Sequence, residues 1–530
     1  MSIVRRLLLT LLAAGLMGAA PHRLAPQPAA QVPLDQALVL EGEESSNPRD
    51  YDPATTHGSG DKLIFSGLVA FDPRLNLVPD LAANWSVSPD GLTYDFTLRS
   101  NAAFHDGRKV TARDVVYSLE RALAPATRSD TALTYLGDIL GASEMHSGQA
   151  DHVSGLKAVD DTHLQIRLDA PKPYFLLKLT YPTAFVLDRA NVESGPDWYR
   201  RPNGTGPYRL ASWQANKEMV YEANRQFYLG PPPIPYVVVK LYAGAGMALY
   251  ETGSIDMTGV PLSAVDRFLD PKEPLHAELQ TGVSLCTGFV SFDVTQPPFD
   301  DPRVRQAFSM AFDRQKYIDV VLNGHALPAN GLYPPGLPGF DTSLRGLPFD
   351  PAQARRLLSE SKYGGAAGLP PIVYTSAGFG SYVDPGLAAM AQMWKKYLGV
   401  EILIEKIEPD FYYDGLYAGR HGQLLTSGWC ADYPDPENFA DALFHSGAGQ
   451  NLGHYSNPEL DRLLEAARVE PDVSRRIGMY QQAERLIVND APALFTVHYL
   501  SYTLVKPYVR GFVPTPIDIS LQRYLWLEGK

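Results

Sequence analysis

The chain has 530 residues, more than a single hydrophobic core usually organises, so two or three domains are expected. Acids outnumber bases, 59 Asp and Glu against 46 Lys and Arg, which argues against nucleic acid and anionic membrane surfaces as partners. Aromatics make up 11% of the chain, including 29 Tyr, whose apolar face and polar tip suit polar ligand cavities and large α/β cores alike.

Residues 1–20 read as a secretory signal: Arg5-Arg6 start it, an apolar run from Leu7 to Leu16 follows, and Gly18-Ala19-Ala20 supply small residues for cleavage near Ala20. The run is shorter than the roughly 20 residues a membrane span needs. No Cys lies near the cleavage point, so a periplasmic chain without a lipid anchor is expected. Residues 21–33 read as a disordered leader, rich in Pro, Ala and Gln. Two cysteines in an exported chain suggest one disulfide, Cys286 with Cys430; two free buried thiols are the other reading.

The folded body begins with a strand at 38–40, and residues 62–69 read as a helix. The alternation Tyr94, Phe96, Leu98 predicts a hairpin after the turn 88–91. Thr111 opens a helix with the stripe Val115, Val116, Leu119 and Leu123. A further strand carries Leu164, Ile166 and Leu168, and a helix is expected from Pro171. The turn 203–208 leads into a strand rather than a helix, which argues against a phosphate loop. Strands follow at 237–242 and 284–294, then helices at 302–313 and 316–322, a proline-rich connector at 328–351, and a helix at 352–359. Residues 372–374 and 400–407 read as strands around a helix at 387–398, and 411–419 as a Tyr-rich helix. Helices at 457–467 and 474–490 precede late strands at 493–502 and 504–511. The interleaving of helices and strands predicts an α/β architecture.

Residues 427–436 concentrate candidate chemistry: Cys430, the flat wall of Trp429, the small residues Gly428 and Ala431, and the acids Asp432 and Asp435. The nearest bases are Arg420 and Arg462, so Asp432 reads either as a wetted loop acid or as one that receives a cation. Asp435, between Pro434 and Pro436, reads as a turn residue. No nucleophile elbow, metal-ligand spacing, Walker loop or dinucleotide fingerprint is present. No catalytic residue, metal site or cofactor is therefore expected, and binding is favoured over catalysis.

Several motifs together resemble one family. They are Pro79-Asp80-Leu81-Ala82 with Trp85, Phe104-His105-Asp106-Gly107 with Val110-Thr111-Ala112, Gly204-Thr205-Gly206-Pro207-Tyr208, and Phe299-Asp300-Asp301-Pro302-Arg303-Val304-Arg305. With Gly428-Trp429-Cys430-Ala431-Asp432-Tyr433 and Leu285-Cys286-Thr287, the chain resembles the extracytoplasmic solute-binding proteins of peptide-type ABC importers (family 5), especially their oligopeptide-binding members. The resemblance implies a two-lobed periplasmic-binding-protein fold of type II with an extra small α/β domain. One lobe would be built from 34–71, 200–283 and 498–530, the small domain from 72–199, and the second lobe from 284–497. It implies a Cys286–Cys430 disulfide and an Asp432 that takes a peptide's α-ammonium. Gly428, Trp429, Cys430, Ala431, Tyr433, Phe289, Tyr413, Arg420 and His421 would line the site. It further implies an oligopeptide ligand, importer permease subunits as partners, and a monomer; murein peptide, dipeptide, opine and metal chelate are the alternative ligands. Thr426 stands where the oligopeptide-binding members carry an Arg, and Gly288-Phe289 where they carry paired tyrosines.

Overall fold

The computed structural model describes residues 32–42, 50–55, 61–380, 382–519 and 521–530. The expected signal and most of the expected leader lie outside the described residues.

An eleven-stranded mixed sheet runs through the molecule. At its centre two long strands, Leu279–Phe292 and Ala493–Val505, lie antiparallel. On one side of this pair come Leu424–Cys430, Ile372–Ala377 and Ile402–Ile407. On the other come Met257–Gly259, Ala37–Glu41, Tyr236–Lys240, Glu218–Ala223 and Tyr208–Gln214, and the eleventh strand, Ala326–Pro328, pairs with Ala493–Val505 off this path. The central pair is thus the covalent and hydrogen-bonded link between two halves of the sheet. Its register shifts between Val283 and Thr287, in the middle of the longer strand.

A separate four-stranded antiparallel sheet joins Ala82–Val87, Thr93–Leu98, His163–Arg167 and Leu156–Ala158. The helix Ala112–Leu123 lies against it. Thr111 and Asp114 form a reciprocal capping box at its start, satisfying two otherwise orphaned N–H groups. Val115, Leu119 and Leu123 are buried in one cluster with Phe96 and Ile166, as the helical stripe requires.

Two expectations need correction. The helix foreseen over 62–69 is a single turn, Asp61–Ile64, followed by the strand Val69–Phe71. The Ile64 carbonyl accepts the Gly206 N–H at 2.8 Å, and the Ser66 N–H donates to Thr205 Oγ1 at 3.0 Å, so the backbone is drawn out of the helix. The same approach explains the glycines of the 203–208 turn. A Cβ at Gly204 would stand 2.0 Å from the Ile64 oxygen, and one at Gly206 2.4 Å from the Leu63 oxygen. The late strands 493–502 and 504–511 are one continuous strand to Val505, with only Val509–Arg510 beyond it, paired to Trp526–Leu527.

Candidate functional site

The strand Leu424–Cys430 is paired along its whole length with Leu279–Phe292, from Leu424 opposite Phe292 to Cys430 opposite Cys286. Its other edge meets Ile372–Ala377 only at Leu424 and Leu425. Beyond Leu425 that edge has no strand neighbour among the described residues. The Ala431 N–H donates to the Leu285 carbonyl at 2.9 Å, so residues 431, 429 and 427 aim their backbone groups at the longer strand. By the alternation of an antiparallel ladder, residues 426, 428 and 430 aim theirs at the open edge. The Thr426 carbonyl is met there by the Tyr412 hydroxyl at 2.9 Å. Thr426, Gly428 and Cys430 are also the exposed members of the strand. Cys430 is disulfide-bonded to Cys286 at a non-hydrogen-bonded pair, where strands come closest; the Cα–Cα distance is 4.0 Å.

Two cavities flank this edge. One, of about 460 Å³, is walled by Tyr135, Tyr181, Phe289, Trp429 and Phe444. The other, of about 510 Å³, is walled by Phe65, Phe71, Ala431, Ile517 and Arg523. Tyr181, Cys430 and Asp432 line both, so Asp432 stands where the two cavities meet.

Tyr135 and Asn438 hold Asp432 in place. The Tyr135 hydroxyl, 297 residues away in sequence, donates to Asp432 Oδ2 at 2.6 Å. Asn438 donates from Nδ2 to the same oxygen at 3.2 Å and accepts the Asp432 N–H on Oδ1 at 2.9 Å. Tyr135 stacks on Tyr181 with ring centroids 3.7 Å apart. Burial, then the charge of Asp432, pushes the Tyr135 hydroxyl well above its ordinary pKa, so it remains a donor.

The acids after Asp432 face inward. Asp435 is buried, accepts the Glu437 N–H at 3.0 Å, and receives both arms of Arg476 at 2.7 and 2.8 Å. Its backbone lies in the bend before the helix, as its reading as a turn residue has it, but that reading missed the buried ion pair, whose partner lies far along the chain and leaves no local trace. Lys178 bridges Asp138 at 2.9 Å and Glu437 at 3.1 Å, and Arg468 meets Asp441 at 2.5 Å. Against the cost of burial, Asp138 and Glu437 keep the Lys178 ammonium protonated. Burial pushes Glu437 up to about 7, against the pull of Lys178.

Gly428, Trp429, Cys430, Phe289 and Asp432 all line the first cavity, and Ala431 the second. Tyr433 is buried and turns inward, its hydroxyl donating to Glu437. Tyr413 belongs to the helix Pro409–Tyr417, and its side chain is outside the description. Arg420 and His421 line neither cavity; Arg420 is exposed, and His421 engages the Gly422 carbonyl and lies 6.2 Å from the His454 ring. Sequence reading missed Tyr135, Tyr181 and Asn438. Only Asn438 had a local signal, an Asn six residues past the acid at the start of an apolar helix. Among the described residues no cluster of three His, Cys, Asp or Glu could hold a metal ion, and no helix is long and apolar enough to cross a membrane.

Comparison with known proteins follows the same lines. A family profile described as bacterial extracellular solute-binding proteins, family 5, middle region, matches residues 76–451. The chain is 30% identical to the probable deoxycholate-binding periplasmic protein YgiS of Escherichia coli, over 97% of this chain and 98% of the relative. It is also 30% identical to the periplasmic murein peptide-binding protein MppA of Escherichia coli, over 94% of this chain and 96% of the relative. The solved MppA structure superposes with a TM-score of 0.82, covering 93% of this chain and 98% of that one. The Haemophilus influenzae OppA complex with the peptide RPPGFSPFR superposes with a TM-score of 0.81 at 26% identity, covering 94% and 100%.

Proposed function

The chain belongs to the bacterial extracellular solute-binding proteins, family 5, and we propose that it is the receptor that captures oligopeptides and hands them to an ABC importer. The observation that carries this reading is Asp432, standing between two cavities at the end of a strand edge with outward-facing backbone groups at Gly428 and Cys430. An extended peptide can add to that edge as a strand does, bonding through main-chain groups without reading sequence. Its α-ammonium supplies the charge and the three donors that the Asp432 carboxylate can accept. The flanking cavities then take side chains, with water filling what each leaves empty.

The lobes of this reading are those foreseen in the sequence, with 72–199 as the small domain and 284–497 as the second lobe. They close about the central strand pair by a hinge motion. The protein is exported, acts as a monomer, and performs no chemistry on its ligand. The similarity to a probable deoxycholate-binding protein supports a second reading, a steroid acid in the same cleft. That ligand is an anion without an ammonium, and Asp432 would repel it. Native mass spectrometry of protein purified without denaturation separates the two. Co-purifying peptide masses are expected; a steroid-acid adduct would replace the peptide reading.

A further inference from the structure

Asn438 is fully buried at the second position of the helix Glu437–Phe444. Its amide is committed on both sides. Oδ1 accepts the Asp432 main-chain N–H at 2.9 Å and the Trp429 indole N–H at 3.2 Å. Neither donor can accept, so the amide oxygen must face them and the NH₂ must face Asp432 Oδ2, at 3.2 Å. The Asn438 backbone is itself held, its N–H donating to the Asp435 carbonyl at 3.1 Å. Asp435 is in turn locked by the two arms of Arg476. A chain of bonds thus runs from a buried ion pair, through one amide, to the carboxylate at the cavity junction and the indole that walls the first cavity.

We propose that Asn438 is a positioning residue for ligand recognition: one side chain fixes the main chain of Asp432, the orientation of its carboxylate and the Trp429 wall as a single unit. The proposal rests on the reading of Asp432 as the ammonium receptor. The site needs an acceptor and a donor in one short group. An aliphatic residue would strand two part-buried N–H donors. An Asp would keep both acceptor bonds but set a second carboxylate against Asp432, and two carboxylates so placed share a proton.

The test uses the full mature protein, with trialanine and N-acetyl-trialanine as probes and calorimetry at pH 6.5. Wild type is expected to prefer the free amine by about 100-fold or more, with close to no proton exchanged. Asn438→Ala is expected to lose at least about 30-fold for trialanine and only about threefold for the acetylated peptide, which still meets the loosened Trp429 wall. The isosteric Asn438→Asp, which keeps both acceptor bonds, is expected to release about one proton per trialanine bound, seen as a dependence of heat on buffer ionisation enthalpy. A role confined to packing would not produce that proton. Retention of the wild-type preference in Asn438→Ala, or binding to Asn438→Asp without proton release, would overturn the proposal alone. A wild type indifferent to acetylation would overturn the ammonium reading and the proposal with it.

Discussion

The ten residues from Asp432 to Asp441 send their acids in two directions. Asp432 faces the junction of two cavities and takes hydrogen bonds from a tyrosine hydroxyl and an amide. Asp435, Glu437 and Asp441 turn into the interior, where Arg476, Lys178 and Arg468 meet them. Acids of the same type, within one turn and one helix, therefore have different work. Asp435 and Asp441 need their cations to stay folded, because breaking a buried pair leaves a charge without water or partner. In the reading proposed here the one outside receives a cation that arrives with the ligand.

The strongest way to break this contrast is to remove an inner cation. Arg476→Met strands Asp435, and a loss of about 3–5 kcal/mol in urea unfolding is expected. A loss under about 1 kcal/mol would mean that Asp435 is not a structural acid. Next comes the disulfide, which belongs to both regions, since it closes a 144-residue separation and Cys430 lines both cavities. Replacing Cys286 and Cys430 by Ser is expected to cost about 2–4 kcal/mol, measured against the wild type under oxidising conditions.

A smaller effect comes from pH. Burial pushes Glu437 up to about 7, and Glu484 likewise to about 7, from an ordinary 4.5. The folded chain keeps protons there that the unfolded chain sheds above pH 4.5. This stability is fully present below that pH and is lost as pH rises through 7, on the order of 3 kcal/mol for Glu484 and in the same direction for Glu437. Urea midpoints compared at pH 4.5 and 8 should show the fall, and Glu437→Gln should remove its share while leaving that of Glu484. The smallest effect sharpens the outer boundary of the site. Arg420→Ala should change peptide affinity by no more than about twofold, because Arg420 lines neither cavity; a tenfold loss by calorimetry would return it to the site.

Local features were legible before the structure. The helix starts at Thr111, Asp301 and Asn457 each carry a side-chain cap bond, and caps are written within three residues, whereas the caps at Asp313 and Asp472 were not read. The motif around Asp432 was legible for the same reason, as small residues, an aromatic wall and an acid within a few positions. What was not legible is what a distant segment supplies. Tyr135 reaches Asp432 from 297 residues away, and Lys178 and Arg476 reach the inner acids from elsewhere in the chain, so no spacing announces them. The 62–69 helix failed on the same ground, because Thr205 and Gly206 claim its backbone groups. Asp435 shows the cost: its place in a bend was legible, and its burial against Arg476 was not.

The central claim is that Asp432 receives the ligand's ammonium. It is tested most directly by isothermal calorimetry of wild type and Asp432→Asn with trialanine, alongside urea unfolding of both. The account predicts an affinity loss of about 100-fold or more, within the ~2–5 kcal/mol expected when one partner of a hydrogen-bonded charge pair is removed, and unfolding stability within about 1 kcal/mol of wild type. Trialanine affinity within threefold of wild type would contradict it.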